Sequence, residues 1–204
     1  MKPEKLKKAL EHLSKNDKTL STIIKNNGIC NLTSRKDFFN SLLEAIIGQQ
    51  LSLKAAGCII KRFYGQFGIN PHPADILAAP DELLRSLGLS NAKVKYVKDL
   101  SDKVLKNTVK LDGIEKKNDE GIYKELVQVK GIGKWTIDMF LIFTLGRENI
   151  LPTGDLGLKN AIVMNYKLRK FPEEKDVEKL SKKGGWAPYN SIASLYLWET
   201  LNKK

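Results

Sequence analysis

The chain has 204 residues, which fits one domain or two small ones. Its 35 lysines and arginines outnumber 23 acidic residues, and the net charge of +12 favours a polyanionic partner over small cationic ligands. Two cysteines and two histidines exclude a disulfide framework, a four-thiolate iron–sulfur cluster and the usual zinc or Ser/His/Asp sites. Cys30 and Cys58 have apolar neighbours in the sequence, so we expect buried, reduced thiols.

The N-terminal residues Met1–Lys5 are followed by no apolar signal segment, and no run approaches ~18 apolar residues. We therefore expect a soluble protein without a membrane partner. Its expected location is the cytoplasm, on the nucleoid in a prokaryote, or the nucleus in a eukaryote.

Helical periodicity runs along most of the chain. Apolar residues recur at three- and four-residue spacing over 37–47, a helix that Ser34 and Asp37 would open with a capping box. Ser52 and Ser90 precede further helical runs and are expected to cap them. The later predicted helices are Ile122–Val129, Trp135–Leu145, Leu156–Tyr166 and Tyr189–Leu201. Strand-like alternation of useful length is absent from the sequence, which predicts an all-α fold.

Residues 126–136 (Leu-Val-Gln-Val-Lys-Gly-Ile-Gly-Lys-Trp-Thr) join two of these helices. Gly131 and Gly133 allow a tight turn and let a phosphate approach the backbone amides at the start of the second helix. Lys130 and Lys134 add positive charge. A plain glycine turn between two helices is the alternative. The flanking apolar spacing and the lysines favour phosphate binding.

This segment resembles the helix-hairpin-helix motif of DNA glycosylases. Four further segments resemble that superfamily in the same order: 45–52 (Ala-Ile-Ile-Gly-Gln-Gln-Leu-Ser), 88–93, 151–159 and 186–198. Together they are most similar to the 3-methyladenine DNA glycosylase II family, the alkylation-repair branch. The hairpin departs from the usual pattern at Ile137, where an alanine is typical.

The resemblance implies a two-lobed helix-hairpin-helix glycosylase fold with the active-site cleft between the lobes. The chain, 1–204, is then a single helical domain and a minimal catalytic core. The central lobe would comprise residues 50–146, including the hairpin 126–136. Residues 1–49 and 147–204 would form the second lobe.

The implied activity is base excision repair: flipping of an alkylated purine, such as 3-methyladenine or 7-methylguanine, and hydrolysis of its N-glycosidic bond. Asp155, at the end of the loop 151–155, matches the family's catalytic aspartate, although an ordinary helix cap is the alternative. An alkylated purine is cationic and leaves as a neutral base, so a carboxylate beside the sugar suffices. Trp135 matches the position of the lysine nucleophile in bifunctional relatives, which implies a monofunctional hydrolase.

The resemblance places Trp135, Met139 and Trp198 around the flipped base, although Trp198 could equally be core packing. Gln50 matches the region that fills the gap in the base stack, with a buried helix-capping glutamine as the alternative. The DNA-contacting residues implied in this way are Gln50, Ser52, Gly131, Gly133, Lys134 and Thr136.

No cofactor is expected for catalysis, and no iron–sulfur cluster. The resemblance implies a monovalent cation, Na⁺ or K⁺, on the main-chain carbonyls of Val127, Val129 and Ile132. The expected partner is double-stranded DNA containing alkylated bases, bound by a monomer. The rival hypotheses are a superfamily glycosylase for deaminated or mismatched bases, and a non-catalytic protein that binds DNA damage.

Overall fold

The structure, a computed structural model, describes residues 1–28, 30 and 32–201. Within these ranges all regular secondary structure is helical, which confirms the all-α prediction. The α-helices are α1 (Pro3–Asn16), α2 (Lys18–Asn26), α3 (Phe38–Gly48), α4 (Leu53–Phe67), α5 (Pro73–Ala78), α6 (Asp81–Ser86), α7 (Asn91–Leu105), α8 (Asp119–Leu126), α9 (Lys134–Met139), α10 (Leu156–Tyr166), α11 (Glu174–Lys183) and α12 (Asn190–Glu199). A 3₁₀-helix covers Ile114–Lys116, and a π-helix covers Phe140–Thr144.

The chain divides into two compact units. The central unit is Arg35–Phe140, and the terminal unit combines Met1–Ser34 with Leu141–Lys204. These bounds differ from the predicted lobes. Residues 35–49 belong to the central unit because α3 packs on α4, α7 and α9. Residues 141–146 belong to the terminal unit, where the ring of Phe143 lies 5.7 Å from that of Trp198, between centroids.

The core of the central unit includes the apolar face predicted for α3, with Leu42, Leu43, Ile46 and Ile47 fully buried. The expected caps of α4 and α7 are confirmed: Ser52 accepts a hydrogen bond from the Ala55 amide (3.2 Å) and Ser90 one from the Lys93 amide (3.3 Å).

The capping box expected at the start of α3 is wrong. The helix begins at Phe38, and the Asp37 side chain makes no capping bond. Instead, the Arg35 guanidinium donates to the Asp37 carboxylate, with Nε at 3.0 Å from Oδ1. The Arg35 hydrogen bond is the main cause that holds the pKa of the Asp37 carboxyl below its ordinary value.

The terminal unit is organised around Asp17, which is 7% exposed. Its carboxylate caps α2 by accepting the amides of Thr19 (2.9 Å) and Leu20 (3.0 Å). The same carboxylate accepts the indole N–H of Trp186 (2.9 Å) and the hydroxyl of Tyr166 (2.6 Å). One buried charge therefore ties α2 to α10 and to the segment before α12.

The expectation of buried cysteines is wrong for Cys58, which is exposed, whereas Cys30 is partly buried. Cys58 follows the buried Ala56 by two positions, which is about 200° around α4 and on the opposite face. In the part of the chain that the structure describes, no helix has both the length and the apolar character needed to span a membrane.

Candidate functional site

The glycine turn between α8 and α9 has a backbone that requires Gly131. The Val129 carbonyl accepts the Ile132 amide at 3.1 Å, and Gly131 between them has φ +80°. A Cβ at Gly131 would overlap the aromatic ring of Tyr96. Backbone conformation and packing therefore both exclude a side chain here. The predicted second helix, 135–145, forms as α9 followed by the π-helix.

Gly133 is glycine for a different reason. It has an ordinary extended backbone (φ −102°, ψ −177°) and is exposed. A Cβ at this position would have nothing within 4 Å. The fold itself thus tolerates a side chain at Gly133, and the missing Cβ leaves open space in front of the first amides of α9.

Lys134 is supported by a buried carboxylate. Its Nζ lies 3.1 Å from Oδ2 of Asp138, which is 2% exposed, whereas the Lys134 side chain is 58% exposed. The Tyr123 hydroxyl donates a hydrogen bond to the other Asp138 oxygen. Burial and this bond raise the pKa of Tyr123 above its usual value. Asp138 therefore holds the exposed ammonium next to the turn.

Sequence reasoning singled out Gln50 and missed its neighbour Gln49. The Gln49 side-chain Nε2 donates to the Gly131 carbonyl (2.8 Å) and to the Thr136 hydroxyl (3.2 Å). Thr136 is 3% exposed, so its side chain belongs to the packing beneath the hairpin rather than to its surface, where a DNA contact was expected. Nothing in the sequence distinguishes the two adjacent glutamines.

Gln50 lies in a tight turn at the end of α3, closed by the Leu51 amide on the Gly48 carbonyl (3.2 Å). Gln50 is exposed and has φ 58°, so the alternative of a buried capping glutamine is wrong. The Lys93 ammonium caps the end of α3 instead, donating to the carbonyls of Ile47 and Gln49 (2.8 Å each). Its burial lowers the Lys93 pKa. Ser52, exposed next to this turn, keeps its capping role.

Asp155 lies at the N-terminus of α10 and is 8% exposed. Its Oδ1 accepts the Leu158 amide (2.6 Å) and the indole N–H of Trp198 (2.8 Å). A Cβ at Gly157 would lie 3.1 Å from that oxygen and 3.3 Å from the indole nitrogen, so glycine permits this close approach. Asp155 is therefore a helix cap, and its carboxylate is also held in a fixed orientation.

The expected base-pocket residues fall into two groups. Trp135, 41% exposed, and the partly buried Met139 are four residues apart on α9 and share a face of that helix in the central unit. Trp198, partly buried, belongs to the terminal unit, where it orients Asp155 and packs on Phe143, which is 46% exposed. Phe143 is an aromatic residue that sequence reasoning did not select.

The three expected carbonyl ligands of a cation all lie in the turn. Val127 follows the last residue of α8, so its carbonyl is among those that a helix end leaves without an intrahelical partner. The Val129 carbonyl uses one of its two lone pairs on the Ile132 amide. Carbonyl oxygens of this kind suit a hard monovalent cation.

Two helices joined by a left-handed glycine turn, together with an acidic residue at the start of a later helix, are typical of the helix-hairpin-helix class. Residues 43–186 match the model of the HhH-GPD superfamily of base excision DNA repair proteins. The chain belongs to this superfamily and, within it, to the 3-methyladenine DNA glycosylase family, as its sequence resemblance predicted.

Two similar proteins and one similar solved structure each match 96% of the chain. A putative DNA-3-methyladenine glycosylase of Bacillus subtilis is 35% identical over 203 residues, 96% of this chain and 69% of that protein. DNA-3-methyladenine glycosylase 1 of Schizosaccharomyces pombe is 33% identical over 204 residues, 96% of this chain and 87% of that protein. A solved structure of the 3-methyladenine DNA glycosylase of that yeast with abasic DNA superposes with a TM-score of 0.87 at 32% identity, over 96% of this chain and 97% of that one.

The two hairpin glycines should respond differently to alanine. Gly131→Ala should lower the free energy of unfolding by at least about 2 kcal/mol, because it combines a left-handed backbone with overlap against Tyr96. Gly133→Ala should change it by under about 1 kcal/mol but weaken duplex binding several-fold by blocking the approach of a phosphate. Urea unfolding and fluorescence anisotropy measure the two effects. Equal losses of stability would contradict this assignment.

Proposed function

We propose that this chain is a monofunctional DNA glycosylase that hydrolyses the N-glycosidic bond of alkylated purines in duplex DNA, with Asp155 as the catalytic carboxylate. The observation that supports it most is the Asp155 carboxylate itself. It is nearly buried, and its Oδ1 accepts hydrogen bonds from the Leu158 amide and the Trp198 indole, which fix its orientation. Family membership supplies the reaction class.

The chemistry asked of Asp155 is electrostatic. When the C1′–N bond breaks, its electron pair goes to the base, which is already cationic and leaves neutral, so no general acid is needed. Positive charge then develops on the sugar, and a carboxylate in a water-poor site stabilises it. The same carboxylate positions or deprotonates the water that adds to C1′. Two hydrogen bonds to one oxygen fix the carboxylate before the reaction, so little reorganisation is required.

Aromatic side chains would recognise the flipped base. The target nucleotide must leave the duplex, which costs least where pairing is already weakened by damage. Trp135 offers an indole face, and cationic purines are attracted to such faces more than neutral ones. Met139, on the same face of α9, adds a polarizable side chain beside it. These contacts favour alkylated purines over deaminated or mismatched bases, which are neutral.

DNA is held through its phosphates. The open space at Gly133, the amides that follow it and the exposed Lys134 ammonium form a compact anion site on the hairpin. The net charge of +12 adds a sequence-independent attraction to DNA. Ser52 and Gln50, both exposed in the central unit, would contact the DNA next to the lesion. The protein acts as a monomer.

We include a monovalent cation in this proposal. The carbonyls of Val127, Val129 and Ile132 would hold it in the turn, where it would supply positive charge for a phosphate. The ion has no part in bond cleavage, which rests on Asp155.

The test of the catalytic assignment is Asp155→Asn. It keeps the shape and removes the charge, so single-turnover excision of 7-methylguanine should fall by at least about a hundredfold, equivalent to about 3 kcal/mol. Affinity for a duplex with an abasic analogue should stay within a few-fold of wild type, because the phosphate contacts are unaltered.

Asp17→Asn is the matched control. Asp17 also caps a helix, is as buried as Asp155 and also accepts a tryptophan indole, but its hydrogen bonds hold the terminal unit together. We expect it to lower the free energy of unfolding at least as much as Asp155→Asn, while excision by the folded fraction stays near wild type. Wild-type excision by Asp155→Asn would refute the assignment of Asp155. A wild-type protein that binds abasic DNA but excises nothing from a panel of alkylated, deaminated and mismatched bases would favour the damage-binding alternative.

Binding to undamaged duplex should weaken steeply with salt, with a slope of ~0.9 per neutralised phosphate. Lys134→Ala should make that slope shallower by roughly one contact and leave lesion preference unchanged. The control is Lys124→Ala, which removes an exposed lysine from α8 that is likewise paired with an acid four residues away, Glu120. Anisotropy titrations between low and physiological salt measure both slopes. A slope insensitive to Lys134 would exclude its phosphate contact.

The wild type should leave intact abasic strands that break only after alkali treatment, since Trp135 supplies no amine. Trp135→Lys should not gain efficient strand cleavage, because a Schiff-base lysine must also be desolvated and aimed at the sugar. Borohydride trapping followed by denaturing electrophoresis reports any covalent intermediate. A trapped complex with the wild type would contradict a monofunctional reaction.

A further inference from the structure

The turn that carries Gln50 has a backbone normally reserved for glycine. Gln49 has φ −51° and ψ 131°, Gln50 has φ 58°, and the Leu51 amide closes the turn on Gly48. This is the pattern of a type II turn, whose third position favours glycine because φ is positive. A glutamine held there, with an exposed side chain, carries a backbone cost that the fold does not need.

Gln49 connects this turn to the hairpin. Its Nε2 reaches the carbonyl of Gly131, which occupies the equivalent left-handed position of the hairpin turn, and also the Thr136 hydroxyl on α9. Its own carbonyl is held by Lys93 from α7. Gln49 is therefore fixed at both ends, by its main chain and by its side chain, and all the partners lie in the central unit.

The anchoring is specific to an amide donor. The Gly131 carbonyl and the Thr136 hydroxyl oxygen both accept from one nitrogen, at 2.8 and 3.2 Å. A carboxylate in its place would face the carbonyl oxygen without a proton to donate, and a thioether would fill the space without a strong hydrogen bond.

We propose that Gln49 is a positioning residue that locks the Gln50 turn to the hairpin, so that seating the hairpin on phosphate sets Gln50 against the base stack. The inference rests on the proposed function and deepens it. Gln50 keeps its strained backbone because its side chain is needed at that place, and Gln49 transmits the position of the hairpin to it. Neither residue takes part in bond cleavage. Both act on the earlier step, in which the target base leaves the base stack.

A pair of substrates separates stack opening from chemistry. The first carries 7-methylguanine paired with cytosine, and the second carries the same lesion opposite an abasic analogue, where less pairing must be broken before extrusion. Single-turnover rates at saturating enzyme remove differences in binding. Gln49→Glu and Gln49→Met should each lower the single-turnover excision rate. The factor of this loss should be at least about fivefold larger on the paired substrate than on the unpaired one.

The variant Gln50→Gly provides a second, independent test. Glycine relieves the left-handed backbone, so the urea midpoint should be unchanged or raised. The excision rate should nevertheless fall more on the paired substrate than on the unpaired one, as in the Gln49 variants. A residue with a purely structural role would not give this combination of retained stability and selective loss.

Asn40→Asp is the matched control for Gln49→Glu. Asn40 lies on α3, the helix that Gln49 follows, and its side-chain amide likewise donates to a main-chain carbonyl, that of Ile69, at 2.9 Å. Asn40→Asp should change the excision rates on the two substrates by the same factor. If the wild type excises both substrates and the Gln49 and Gln50 variants lose the same factor on each, this inference is overturned and the proposed function stands. If the wild type excises neither, the proposed function fails and the inference with it.

Discussion

The Asp155 carboxylate is held by the helix that it caps. One of its oxygens receives the Leu158 amide and the Trp198 indole N–H, and Gly157 leaves the space that lets both approach. A carboxylate held at the start of a helix by two hydrogen bonds keeps its orientation, which is what the catalytic role proposed for Asp155 requires. The group best suited to the chemistry is therefore positioned by contacts that also stabilise α10.

Asp17 has a similar local arrangement, so capping geometry alone does not assign a catalytic role. It also caps a helix, accepts an indole N–H and is nearly buried, and it takes a tyrosine hydroxyl in addition. Its hydrogen bonds join α2, α10 and the segment before α12, so its role is to hold the terminal unit together. The role proposed for Asp155 therefore rests on the loop 151–155 and on the family pattern around it, together with the hydrogen bonds that fix its carboxylate.

The outward-facing residues of the hairpin depend on inward-facing ones. Gly131 packs closely against the ring of Tyr96, and the buried Asp138 forms an ion pair with Lys134. The side chain of Gln49 donates a hydrogen bond to the Gly131 carbonyl in the turn. A surface loop of such length would otherwise have many conformations, and ordering it only on binding would cost affinity. The hydrogen bonds and the glycine conformation instead hold the hairpin in one conformation, which is what the proposed phosphate site requires.

Local sequence patterns determined much of this protein. They gave the all-α class, the bounds of α10, the serine caps at Ser52 and Ser90, the glycine hairpin and Asp155 as a helix cap. Helix periodicity and capping act over a few residues, so a single sequence contains them. The motif resemblance added the family, which the comparisons confirmed.

Only the tertiary structure decided which side chains meet across long stretches of chain. The bond between Asp155 and Trp198 spans 43 positions, and that between Gln49 and Gly131 spans 82. Such contacts also placed residues 35–49 with the hairpin, buried Thr136 and left Cys58 exposed. A sequence pattern gives the face of a helix on which a residue lies, but the neighbour on that face is chosen by how distant helices pack, and the packing is a property of the whole fold.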